Sequence, residues 1–132
     1  MISAYNRRLF GSSPSEQARY SKAWTIWENS LASFKFFGNT ISPSTEYAKA
    51  FARIENHFFI NKGFLEYDDY VVKNLSLIRH IPTIIVQGRY DMICPPYTAE
   101  ALHNRLPYSK LVMIRDAGHA MSEPGISSAL IK

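Results

Sequence analysis

The chain has 132 residues, of which 46% are hydrophobic, 14% aromatic and 20% charged, with a formal net charge of +4. That length holds one ordinary domain with a real core, and the aromatic share excludes a disordered chain. The basic residues are scattered, Arg7-Arg8 being the only adjacent pair, and no nucleic-acid motif accompanies them, so the charge reads as a solvated surface and no nucleic-acid partner is expected.

No run of roughly eighteen apolar residues occurs, so no membrane-spanning helix and no membrane partner are expected. The start, Met1-Ile2-Ser3-Ala4-Tyr5-Asn6-Arg7-Arg8, has no apolar h-region and no cleavage pattern, so no signal peptide is expected. The single cysteine, Cys94, excludes an internal disulfide and suits a reducing compartment. The cytoplasm is the expected location.

The first half reads as helical. Ser13-Pro14-Ser15-Glu16 is a capping box, with Ser13 as N-cap and Pro14 in the first helical position. Tyr20, Trp24, Trp27, Leu31 and Phe34 then recur at steps of four and three, marking one helix face. A second start signal stands at Ser42-Pro43. It is followed by Tyr47, Phe51, Ile54 and Phe58 at the same spacing and by Gly63 as a stop.

Tyr67 to His80 is mixed and expected to be helical, and then the pattern changes. Pro82-Thr83-Ile84-Ile85-Val86 is a continuous apolar, β-branched run, as in a strand buried on both faces. Pro95-Pro96 opens a helix with Ala99, Leu102 and Leu106 on one side, and Leu111-Val112-Met113-Ile114 is a second strand. Gly125 to Ile131 starts a final helix. Strand, crossover helix and strand make a βαβ unit, hence a parallel pair. Two strands alone do not make a stable sheet with covered faces, so the unit is expected to belong to something larger.

Ligands of open parallel sheets bind beyond the carboxyl ends of the strands. Asp91 follows the first strand and His119 the second, and a single crossover brings their loops together. A carboxylate beside an imidazole fixes its tautomer and stabilises the imidazolium formed when histidine accepts a proton from a nucleophile. Taken singly, the two residues read rather as a turn aspartate and a surface histidine; together, each just past a buried strand and one crossover apart, they read as a functional pair. His57, His80 and His103 lack metal-ligand spacing, so no metal and no cofactor are expected. Cys94 reads as a small packed residue rather than a nucleophile.

Gly88-Arg89-Tyr90-Asp91 with Cys94-Pro95, and Ala117-Gly118-His119 with Glu123-Pro124-Gly125, resemble the aspartate and histidine segments of proline iminopeptidases. Upstream, Trp24-Thr25-Ile26-Trp27-Glu28 is similar to that family's W-x-x-W-E cap segment. Ala52-Arg53-Ile54-Glu55-Asn56-His57-Phe58-Phe59 is similar to its A-R-I-E-N-H-Y-F segment, with Phe58 in place of the usual tyrosine. The motifs stand in the family's order and cover almost the whole chain, and Asp before His suits the chain order Ser, Asp, His.

The resemblance implies an α/β fold that is the C-terminal part of an α/β-hydrolase: residues 1–66 a portion of a helical cap, residues 67–132 the end of the core. It implies a serine-type prolyl aminopeptidase acting on peptides with N-terminal proline. Asp91 would be the triad's acid and His119 its general base, and Glu28 and Glu55 would bind the substrate's α-ammonium. A solvated helix face is the plainer reading of the two glutamates. Two partly desolvated carboxylates nonetheless suit recognition of a cation.

No G-x-S-x-G and no glycine-rich oxyanion loop occur in the sequence. The family carries both in an N-terminal half, so the isolated chain is expected to be inactive. Three readings follow: a fragment, a half that works with the missing N-terminal half as its partner, or a non-catalytic binding module that keeps the amine pocket.

Overall fold

The computed structural model describes residues 1–34 and 42–131; residues 35–41, within the expected cap stretch, and Lys132 lie outside the description. The described residues form two compact units, 1–29 with 42–66, and 30–34 with 67–131.

The first unit is helical. Helix α1 is Ile2–Leu9, α2 is Pro14–Ala32 and α3 is Thr45–Ile60. The last residues of α2 group with the second unit. At the start of α2 the Ser13 hydroxyl accepts the Glu16 N–H at 3.4 Å, as the capping pattern requires. Helix α3 begins later than Ser42-Pro43 suggests, because Ser44 takes the cap and its hydroxyl accepts the Tyr47 N–H at 3.2 Å. It also ends before Gly63. Asn61 caps it, donating to the His57 carbonyl at 2.8 Å, and Gly63 sits in the left-handed turn that follows, at φ 65.

Leu9, Trp24 and Ala52 form the core of this unit, with Ile2, Tyr5, Tyr20 and Phe51 packed around them. Tyr5 meets Trp24 edge-on at 5.1 Å between ring centres. The expected aromatic stripe is not the buried face of α3: Tyr47, Ile54 and Phe58 are 53%, 61% and 50% exposed. Ala48, Ala52 and Asn56, four residues apart, are buried instead. Small residues there let α1 pack closely on α3, where larger side chains would hold the helices apart. Asn56 is fully buried yet satisfied, accepting from Asn6 at 2.8 Å and donating to the Ile2 carbonyl at 3.1 Å. On α2, Trp24 is buried, but Trp27 is exposed and Phe34 lies past the helix end.

In the second unit the stretch expected to be helical yields only α4 (Tyr70–Lys73) and a 3-10 turn at Leu75–Leu77. Strand β1 (Thr83–Gly88), helix α5 (Pro96–His103) and strand β2 (Ser109–Ile114) then form the expected βαβ unit, and α6 is Pro124–Leu130. The strands pair in parallel from Thr83 opposite Ser109 to Gly88 opposite Ile114. Met113 shares a groove with Pro96 and Glu100 of α5, whereas Gly125 of α6 lies against Ile114. Neighbouring residues of a strand point to opposite faces, so α5 and α6 cover opposite sides of the pair. The cover is incomplete: Ile84 on β1 is 69% exposed, contrary to a strand buried throughout. Among the described residues no helix is long and apolar enough to cross a membrane.

Candidate active site

Asp91 stands in the loop directly after β1, and His119 in the loop between β2 and α6. The parallel register sets Gly88 beside Ile114, so both loops leave from the same end of the sheet. They are pressed together because neither contact point carries a side chain. A Cβ on Gly88 would fall 1.9 Å from the Gly118 carbonyl oxygen. Backbone bonds reinforce the approach: Arg89 N–H donates to Ile114 O at 2.9 Å and Tyr90 N–H to Ala117 O at 3.0 Å.

The outcome is a direct contact, His119 Nδ1 lying 2.9 Å from Asp91 Oδ2. Asp91 is buried, while the His119 side chain is 41% exposed. The other carboxylate oxygen, Oδ1, accepts the N–H groups of Ile93 at 2.9 Å and Cys94 at 2.7 Å. Gln87 adds its side-chain amide, 3.2 Å from Oδ2. An imidazole held in this way carries its proton on Nδ1, which leaves Nε2 able to take a proton while Asp91 balances the charge. Both residues border a cavity of about 250 Å³, together with Gly88, Cys94, Gly118 and Ile126.

Burial pushes the Asp91 carboxyl up. The Cys94 amide, the His119 imidazole and the Ile93 amide outweigh it, so the group lies below its ordinary value. A carboxyl whose folded pKa is depressed stabilises the fold above its unfolded pKa, and that contribution is lost as pH falls through the folded value. The stability gap between the unsubstituted chain and Asp91→Asn is therefore expected to hold at neutral pH and to shrink below about pH 4. Urea midpoints at several pH values measure it, and a gap unchanged at pH 3 would contradict the assignment.

Loss of solvation and the neighbouring Asp91 charge push the Cys94 thiol up, keeping it a neutral, unreactive thiol. It is exposed, not packed as the sequence suggests. Among the described residues no group of three or more His, Cys, Asp or Glu side chains is placed to hold a metal ion.

Glu28 and Glu55 belong to the first unit, and both are half-buried. Glu55 accepts the Trp24 indole N–H at 2.7 Å. Glu28 lines an apolar cavity of about 340 Å³ with Ile2, Tyr5, Trp24, Trp27 and Phe59. Trp24 thus connects the two carboxylates, forming part of the cavity wall beside Glu28 and bonding Glu55.

Two residues bonded at this site carry no role in the sequence reading: Gln87, whose amide faces Asp91, and Glu123, whose carboxylate accepts the Gly118 N–H at 2.8 Å. Gln87 was visible as a polar side chain closing an apolar strand run. Glu123 was visible only as part of a motif.

A family model for the alpha/beta hydrolase fold matches residues 2–125. A probable proline iminopeptidase of Leptolyngbya boryana is 49% identical over 99% of this chain and 41% of its own length. The proline iminopeptidase of Arabidopsis thaliana is 41% identical over 99% of this chain and 35% of its own length. That of Neisseria gonorrhoeae is 37% identical over 100% of this chain and 42% of its own. The chain thus spans about two fifths of the length of the curated relatives it matches. With its parallel βαβ unit and the matched residues 2–125, the chain belongs to the α/β-hydrolase fold family.

Proposed function

We propose that the chain is the C-terminal part of a cytoplasmic serine-type aminopeptidase that releases N-terminal proline from peptides. Residues 1–66 are a portion of its cap and residues 67–132 the end of its core. The observation that carries this reading is the 2.9 Å contact between Asp91 and His119 beyond two parallel strands, in a chain that proline iminopeptidases match from end to end. His119 Nε2 takes the proton of a serine hydroxyl as that oxygen attacks the carbonyl of the N-terminal proline. The same imidazole then returns the proton to the leaving amine and later activates the water that frees the proline. Asp91 holds the tautomer and balances the imidazolium. The serine and the oxyanion donors belong to the part of the enzyme that corresponds to the rest of the relatives' length.

Glu28 and Glu55 read the substrate's free ammonium, and the apolar walls of the cavity beside Glu28 suit the pyrrolidine ring. In the enzyme reconstituted with its nucleophile-bearing part, Glu→Gln at either position is expected to weaken free-amine substrates by about 1.5–3 kcal/mol. N-acylated and simple ester substrates bring no cation and are expected to change far less. Comparing kcat/KM for the two substrate types tests this, and equal losses would mean that the glutamates only support the helices.

A further inference from the structure

We propose that Glu123 is a positioning residue for His119, its carboxylate fastening the loop that carries the imidazole to the chain segment just after α2. The inference rests on the reading of Asp91 and His119 as acid and base. His119 sits between β2 and α6 in a stretch without regular structure, so its place depends on bonds from outside the loop. Glu123 Oε1 accepts the Gly118 N–H at 2.8 Å and the Phe34 N–H at 3.1 Å. One carboxylate oxygen thus joins the residue before His119 to a segment distant in sequence.

The surrounding bonds show what this join accomplishes. The N–H groups of His119 and Ala120 both donate to the Ala32 carbonyl, at 2.7 and 2.8 Å. Phe34 stacks on Tyr90 at 4.2 Å between ring centres and 10° between planes, and Tyr90 immediately precedes Asp91. The contacts close a ring from Glu123 through Gly118 to His119, across to Asp91, and back through Tyr90 and Phe34. The imidazole–carboxylate pair is one link of that ring. Gly118 has no room for a side chain here, since a Cβ would lie 2.9 Å from Phe34 N and 3.0 Å from Ala32 O.

The conformation of Glu123 points the same way. It occupies the N-cap position of α6, yet its side chain makes no cap bond to that helix. The short side chains favoured at that position, Ser, Thr, Asp and Asn, turn back to the free amides of their own helix, a role the longer Glu123 does not take. Glu123 gives its charge to the histidine loop instead, where a charge-assisted bond is stronger than a neutral one.

NMR of the isotope-labelled 132-residue chain tests the proposal through the His119 Nδ1–H···Asp91 bond and the exchange rate of the Gly118 amide. The His103–Ser109 contact, 2.7 Å at the other end of β2, serves as the internal control. E123A is expected to lose the His119 signal and to speed Gly118 exchange by about 10- to 100-fold, the scale of a bond to a charged group, with the His103 signal intact. E123Q keeps a carbonyl oxygen in place and is expected to restore the His119 signal. Should E123A lose the His103 signal too, E123D decides, because it keeps the charge but draws it back by one methylene. A His119 signal that persists in E123A or E123D overturns the proposal. If the unsubstituted chain lacks the signal, the fault lies instead in the acid–base reading beneath it.

Discussion

In the reconstituted enzyme, Asp91→Asn is expected to lower kcat by about 10⁴-fold with little change in KM. The reason lies in how the carboxylate is held. Oδ1 accepts from two backbone N–H groups, and Oδ2 faces the Gln87 amide and His119 Nδ1. An asparagine keeps its oxygen toward the two amides, since its NH₂ cannot accept from them. Its NH₂ then faces Nδ1, which must turn acceptor, and the ring proton moves to Nε2. An imidazole with its proton on Nε2 cannot take one from a nucleophile there. Steady-state kinetics with a proline arylamide measure the effect. A loss of less than about tenfold would remove Asp91 from the mechanism.

Gly88→Ala is expected to have the largest effect on stability. The new Cβ would meet Gly118 O at 1.9 Å, Ala117 O at 2.7 Å and Gly118 C at 2.8 Å, all of them backbone atoms. Flexible side-chain ends move aside at small cost, but this backbone is tied through Ala117 O to Tyr90 and through His119 and Ala120 to Ala32. The loops must separate, which draws His119 from Asp91 as well. Ordinary overpacking costs about 1–3 kcal/mol, and a clash with fixed backbone is expected to reach about 3 kcal/mol or more. For a chain of this size that lowers the Tm by roughly 10 °C. Gly63 is the contrast: its nearest neighbour to a Cβ is 3.9 Å away, so only its positive φ opposes alanine. Thermal melts of the two variants measure the difference, and a Gly88→Ala shift of under about 2 °C would contradict the packing described.

The parts of this site legible in the sequence are those fixed by chain topology. Two short apolar runs separated by a helix-length segment require parallel strands, and residues just past such strands share one end of the sheet. Topology alone therefore singles out Asp91 and His119. The buried face of α3 is not legible in the sequence, for a physical reason. Its sequence holds two stripes at helical spacing, one aromatic and one of Ala48, Ala52 and Asn56, and periodicity cannot say which stripe a neighbouring helix will cover. Close approach of α1 selected the small residues. Gln87 and Glu123 carry no such signal in the sequence because their partners are set by loop conformation. The Glu123–Phe34 bond joins residues 89 positions apart and follows no spacing rule.

On the proposed reading, Asp91 and His119 are the acid and base of a serine-peptidase triad whose nucleophile belongs to the part that corresponds to the rest of the relatives' length. Hydrolysis of a proline arylamide is measured with the purified chain, alone and after co-expression with the part of the Leptolyngbya boryana relative that lies outside the matched segment. No turnover by the chain alone, turnover by the pair, and its loss on His119→Ala are expected if Asp91 and His119 act as acid and base. Turnover by the isolated chain, or turnover by the pair that survives His119→Ala, would contradict that reading.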